Sequence, residues 1–309
     1  MSASEPPNIN LRAPVPFPIL PAMKPIAAAL LVLASAVAAM AQVNVEVRFD
    51  QDQFLPNEKL VAKVRVSNFS GQKLQFGDTD DWLVLNVESR EGKIVEKLAE
   101  VPVKGAFELD SSSAGTKRID LAPYFNLTQP GRYLVTATIK VKQWNREWSS
   151  KGSGFNIIKG TKLWEQDFGV PRAGSGEPEL RKYSLLQAIY LKQITLYARV
   201  SDVNENRVFK VYPIGPMVSF SKPESQVDKY NNLHVIWQVG ARSFQYVMLN
   251  ADGTTVLRQT YDYGESRPTL RPDEEGRVAV GGGVRRETKF DLPEPAPAKE
   301  DEPKPLAQP

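Results

Sequence analysis

Few side chains in this sequence are of types that do chemistry, and their spacing sets what each one can attempt. Asp78, Asp80 and Asp81 stand together in Gly77-Asp78-Thr79-Asp80-Asp81-Trp82. Carboxylates this close repel unless a cation or hydrogen-bond donors neutralise them, so the segment is a candidate calcium site. It does not continue as an EF-hand loop, because no glycine follows and no glutamate closes it. The same aspartates serve equally well as turn and cap residues. Trp144 and Trp148 lie four apart with Arg146 and Glu147 between them, a spacing that places both rings on one face of a strand. Exposed, the pair would stack on a sugar or a partner chain. Buried, it would plug the edge of a sheet.

The one histidine, His234, falls in residues 233–239, where Leu233, Val235 and Trp237 share one strand face and His234 and Gln238 the other. A general base there needs a partner that the sequence does not identify, and a histidine on such a face is expected to be half-exposed. Trp237 and the nearby Arg242 complete the candidate binding residues of this stretch. Arg258, Arg267, Arg271, Arg277, Arg285 and Arg286 make the C-terminal half rich in arginine, which surface solvation explains.

Other chemistries are excluded by composition. With no cysteine, disulfides, thiolate metal sites and cysteine nucleophiles are all removed. A single histidine removes any multi-histidine metal site. No Gly-x-Ser-x-Gly elbow, P-loop or histidine-glutamate zinc motif occurs, and Gly281-Gly282-Gly283 runs into charged residues rather than a helix start. No cofactor is implied. The formal charge of +3 comes without any stripe of Lys and Arg, so a nucleic-acid partner is not expected.

The elements that must position these residues follow an export segment. Lys24, the apolar stretch around Leu30 to Leu33, and the small-x-small site Ala39-Met40-Ala41 are the three parts of a secretory signal peptide over 23–41. Its apolar run falls short of the ~20 residues that a spanning helix needs. A membrane contact is therefore expected only through this segment, if it is retained. Pro-rich residues 1–22 read as an upstream extension. Export without cysteine points to a bacterial periplasmic or secreted protein.

From Val43 the pattern takes on period two. Val43, Val45, Val47 and Phe49 alternate with polar residues, as do Leu60, Ala62, Val64 and Val66, and later Tyr133, Val135, Ala137, Ile139 and Val141. Further strands are expected at residues 82–87 and 93–98. Short alternating strands between turn residues describe an antiparallel sandwich over 43–158. Within it, Pro130-Gly131-Arg132-Tyr133-Leu134-Val135-Thr136-Ala137 resembles the entry to a late strand of immunoglobulin-like and fibronectin-type sandwiches. The resemblance implies that Tyr133 bonds back to the preceding corner. The cysteines and core tryptophan of antibody domains are missing, so an antibody-type domain is not implied. The region is also loosely similar to bacterial proteinase-inhibitor sandwiches of the BsuPI type, with no inhibitory residue matched.

Residues 159–182 hold glycine and proline without clear periodicity and read as a linker. Beyond it, residues 183–290 form a second β region with an internal echo, Asp228-Lys229-Tyr230-Asn231-Asn232-Leu233-His234-Val235 against Asp273-Glu274-Glu275-Gly276-Arg277-Val278-Ala279-Val280. This looks like a propeller-type meander. The Asp-box of sialidases is absent, and the length holds two to three blades, fewer than propellers close with. A blade-like open sheet packed on its neighbour is the expectation. The tail, 291–309, is a Pro, Ala, Glu and Lys mixture expected to be disordered.

The fold class read from sequence is therefore all-β, an Ig-like sandwich followed by a blade-like antiparallel domain. The function expected is a non-catalytic binding or scaffold module acting on an envelope protein or polysaccharide. The alternative is a carbohydrate-active hydrolase with two carboxylates among Asp228, Asp252, Asp262 and Glu265 as acid and base. A weaker third expectation is protease inhibition by the sandwich.

Overall fold

A computed structural model describes residues 43–171, 174, 176–190 and 192–292. The expected signal segment 23–41, the extension 1–22 and the tail beyond Leu292 lie outside the described residues. Among those described, the chain is all-β, with one short 3-10 turn, and no helix is long and apolar enough to cross a membrane.

The first region runs β1 Val43–Arg48, β2 Gln53–Phe54, β3 Val61–Asn68, β4 Leu74–Phe76, β5 Leu83–Ser89, β6 Phe107–Leu109, β7 Ser113–Asp120, β8 Gly131–Val141, β9 Arg146–Ser149 and β10 Ser153–Ile157. One sheet has the order β1-β3-β7, and a second has β2-β10-β8-β5 with β9 added on β8. All the pairings are antiparallel except the short parallel join of β2 to β10. The alternating valines of β1 and β3 meet Tyr133, Val135, Ala137, Ile139 and Val141 of β8 in one core. A side-chain period of two sends these residues to one face and their polar neighbours to the other. At the mouth of β8 the Tyr133 hydroxyl donates to the Gln129 carbonyl at 2.6 Å, the bond that the Pro130–Ala137 pattern leads one to expect. The antiparallel β4–β6 pair adds a cluster of Phe76, Trp82 and Phe107, with the Trp82 indole donating to Val103 O at 2.7 Å.

Residues 93–98 do not form the expected strand. They contribute a single bridge, Lys97 to Phe125, and two further backbone bonds, Leu98 to Tyr124 and Asn126 to Glu96. Ile94 is 97% exposed. The run lacks a period of two, and only the short segment 124–126 lies beside it, too little to complete a ladder.

The second region runs β11 Thr161–Val170, β12 Glu179–Tyr190, β13 Gln193–Asp202, β14 Val208–Met217, β15 Glu224–Val227, β16 Leu233–Gln238, β17 Ser243–Leu249, β18 Thr255–Asp262, β19 Thr269–Pro272, β20 Val278–Gly281 and β21 Val284–Arg286. Two meanders follow one another, β11-β12-β13-β14 and β15-β16-β17-β18-β21, with β19-β20 as a separate hairpin. Leu185, Leu196, Ala198 and Ile214 of the first meander pack on Val235, Trp237, Val247 and Leu249 of the second. The result is two antiparallel sheets packed face to face.

The stretch 159–182 is not a linker. It holds all of β11 and the start of β12, paired over their length. A register shift between Lys162 and Trp164 breaks the period of two, and this hid the strand from a pattern reading. Asp291 and Leu292, expected to open the tail, are held by hydrogen bonds. Leu292 N–H donates to Arg258 O at 3.0 Å, and Asp291 accepts from Thr288 and Thr260.

Both meanders are apolar on both faces. On the outer side of the first, Leu186, Ala188, Tyr197 and Val211 pack on Leu55 and Ile158 of the first region. On the outer side of the second, Ile236, Phe244, Tyr246 and Leu257 are covered by Leu270 and Val280 of β19 and β20.

The Tyr133 corner gives a direct test. Tyr133→Phe keeps the ring in the core and deletes one neutral hydrogen bond, so it should cost about 1 kcal/mol. For a protein of this size that is a fall of roughly 2–4 °C in melting temperature. An unchanged Tm would show that the bond to Gln129 adds nothing to the corner.

Candidate functional site

Four hairpins of the second region share one turn chemistry. Asp202, Asp228, Asn250 and Asp273 each accept at Oδ1 from a backbone N–H four or five residues on, at Arg207, Asn232, Thr254 and Arg277, over 2.7–3.0 Å. Three residues after each comes a left-handed residue, Glu205, Asn231, Gly253 and Gly276. In the last three turns this is the three-residue hairpin in which a type I turn ends on a left-handed position. An Asx side chain satisfies the freed amides, and Asn or Gly at the left-handed position limits the strain. The echo between Asp228 and Asp273 is this repeated turn.

The turns gather at one end of the region. Tyr183 Oη lies 2.9 Å from Asn231 O and 2.7 Å from Asn250 O, Lys210 Nζ donates to Thr254 Oγ1 at 3.1 Å, and Lys229 N–H donates to Gly276 O at 3.0 Å. Burial pushes the Tyr183 hydroxyl well above its ordinary pKa, so it stays a donor.

Into this end the fold brings His234 and Asp228. Asp228 Oδ2 accepts from Asn232 Nδ2 at 2.9 Å and faces His234 Nε2 at 3.1 Å, while His234 Nδ1 is 2.7 Å from Tyr246 Oη. Both side chains are sealed, at 3% and 5% exposure. Burial pushes the His234 pKa down, against the pull of Asp228. Burial acts upward on Asp228, but the Asn232 side chain and amide, followed by His234, bring its carboxyl below the usual range. The network thus assigns a carboxylate at Asp228, Nε2–H donating to it, and Nδ1 accepting from the Tyr246 hydroxyl.

The expectation of a half-exposed histidine is corrected. His234 does lie on the strand face opposite Trp237, but that face is covered by β19 and β20. Asp228 is the partner that sequence did not identify, six residues away across a turn. A dyad closed off from water on every side braces a hairpin.

The other candidates are not drawn into the same place. Trp237 is fully buried between the meanders, its Nε1–H donating to Pro216 O at 2.8 Å. It is a core residue. Arg242 lies past the far end of β16, its guanidinium over the Tyr263 ring and donating to Tyr263 O. Trp144 and Trp148 do not share one strand. Trp144 ends the 3-10 turn Lys142–Trp144, Asn145 is left-handed, and Trp148 lies on β9. That turn still brings the rings together edge to face at 5.7 Å, half-buried on the first core.

Asp78 and Asp81 line a cavity of about 110 Å³ with Thr79, Trp82, Lys140 and Lys142. Gly77 fixes this loop, since a Cβ there would meet Gly105 O at 2.1 Å. Asp80 pairs with Lys104 at 3.1 Å and Asp81 with Lys140 at 3.1 Å. The Thr79 hydroxyl and then Lys140 hold the Asp81 carboxyl below its ordinary range. Lysines thus sit where a cation would be needed to relieve the cluster. Among the described residues, no group of three or more His, Cys, Asp or Glu is placed to hold a metal ion.

The carboxylates of the hydrolase reading also have partners. Asp252 accepts from Arg181 at 2.9 Å, and Asp262 from Arg286 at 2.8 Å and Ser243 at 2.9 Å. Asp228 and Asp252 belong to the turn end, while Asp262 closes β18 at the other, roughly 25 Å away along an eight-residue strand. Glu265 is exposed in the loop beyond.

Glu58 was missed by the sequence reading, because a glutamate in a turn reads as exposed. It is buried, accepting from Leu55 N–H at 2.7 Å and Gln51 Nε2 at 3.0 Å, and burial raises its pKa.

No protein-family model matches this chain, and no curated protein is significantly similar to it.

The dyad makes stability depend on pH with a definite sign. His234 binds its proton less readily folded than unfolded, so its contribution is complete above the unfolded pKa of about 6.5 and is lost as pH falls through that window. Asp228, also lowered, adds to the loss at more acid pH. Urea midpoints should fall between pH 8 and pH 5, and less steeply in His234→Gln. A flat wild-type profile would contradict a neutral buried histidine.

Proposed function

We propose that the protein is an exported, non-catalytic binding or scaffold module of the bacterial envelope, acting on a polysaccharide or an envelope protein. The observation that carries this reading is that Asp228, Asp252 and Asp262 are each held by partners within the chain. Acid–base hydrolysis of a glycoside needs two carboxyl groups within about 5–10 Å of one scissile bond. Here Asp228 braces a buried turn, Asp252 and Asp262 are held by arginines, and Asp262 belongs to the opposite end of the region from the other two. The export pattern in residues 23–41 supports a periplasmic or secreted site of action.

The first region is read as immunoglobulin-like. What supports this is the strand order, β1-β3-β7 facing β5-β8-β10, together with the tyrosine that bonds back at the start of β8. Domains of this kind present ends, edges and faces to partners on a rigid frame. The second region is read as two blade-like meanders that cover each other and so need no closed ring.

A panel of labelled glycans tests the reading. The protein should retain some polymers without releasing products, and Asp228→Asn, Asp252→Asn, Asp262→Asn and Glu265→Gln should behave in this respect as the parent does. Turnover by the parent that any one of these changes abolishes would overturn the non-catalytic reading in favour of a hydrolase.

A further inference from the structure

The outer face of the β1-β3-β7 sheet breaks a rule that the rest of the molecule keeps. Arg48 stands opposite Lys63 and Lys63 opposite Arg118, so three cations form one row across three strands. Their Cβ atoms all point outward, because Val47, Val64, Ala62 and Ile119 take the inward positions beside them. Like charges directly opposite on one face destabilise a sheet. Arg65, two residues along β3, adds a fourth cation, diagonal to Arg118 and about 7–8 Å from it.

The carboxylates of the face do not resolve this. Glu46 stands opposite Arg65 but pairs with Arg48 at 2.7 Å, and Asp50 pairs with Lys63. Arg65 and Arg118 are exposed and have no carboxylate partner among the described residues. Two guanidinium groups without an ion pair therefore stand diagonally across this surface, next to two cations that each have one carboxylate partner. A local conflict with no gain inside the chain marks a place where something outside completes the interaction.

We propose that this face is a docking surface for an acidic polysaccharide, an extended chain with regularly spaced carboxylate groups. The proposal names the ligand class for the binding-module reading and rests on it. Strands lie about 4.8 Å apart, so the row spans roughly 10 Å and offers cations in a line rather than a pocket. Guanidinium groups match carboxylates with paired, charge-assisted hydrogen bonds. A membrane is the poorer fit, since Asn44, Glu46, Ala114 and Thr116 lie beside the cations, and the apolar side chains near the row, Val61 and the exposed Phe69 past the end of β3, are too few to form a lipid-entering face.

The test measures the affinity of the protein for fluorescent polygalacturonate, with dextran and phosphatidylglycerol vesicles as the other arms. Polygalacturonate should bind well above dextran at low salt and weaken as salt shortens the reach of exposed charges to about 8 Å. The double variant Arg65→Gln/Arg118→Gln should weaken binding at least about tenfold, because it removes both guanidinium groups without an ion pair. Lys222→Gln/Lys289→Gln, with the same loss of charge elsewhere, should change it little. Melting temperature should hold or rise in the Arg65 and Arg118 variant, since the row is relieved. No preference for polygalacturonate over dextran, equal weakening by the two double variants, or tighter retention on vesicles would each overturn the proposal. Binding of dextran alone would overturn it while leaving the binding-module reading in place.

Discussion

The second half of this protein is organised by one requirement, that β16 be covered on both faces. Leu233, Val235 and Trp237 belong to the core between the meanders, and Ile236 to the core beneath β19 and β20. A strand buried on both sides cannot alternate apolar and polar residues. It forces a second sheet on one side and a separate hairpin on the other, and it shuts His234 away from water. Once sealed, the histidine needs a partner for each ring nitrogen, and Asp228 and Tyr246 supply them. Without that brace the Asp228 carboxylate would keep only its bonds from Tyr230 and Asn232 to offset its desolvation.

The same demand for coverage joins the two halves. The outer face of β12 to β14 is apolar through Leu186, Ala188, Tyr197 and Val211, and Leu55 with Ile158 closes over it. Leu55 is fixed in turn by Glu58, which accepts its amide from inside the turn. A buried glutamate at a corner is costly alone, and its two hydrogen bonds explain how it is kept. Only Ile158, Lys159 and Gly160 separate β10 from β11, which leaves little slack between the regions.

Much of the first region could be read along the chain. The valines of β1 and β3 and the alternation of β8 reported their own faces, and the Tyr133 corner was carried by a local run of eight residues. Residues 93–98 show the limit, because an apolar-rich run between turns does not say whether a neighbour of useful length is there to bond it. Strand β11 shows the opposite failure, where a bulge at Lys162 to Trp164 erased a period that the ladder tolerates. The Asx turns were visible only as an echo, since a turn is defined by where amides point.

Sequence by itself determined the all-β class, the inward and outward faces of the regular strands, and the absence of thiol chemistry. Those properties depend on residue type and a spacing of two. Tertiary structure alone decided that His234 is buried, that Trp237 is core, that Asp262 stands apart from Asp228 and Asp252, and that Arg48, Lys63 and Arg118 share a row. Each depends on which distant segment lies alongside, and register between strands far apart in sequence is set by packing and not by local pattern.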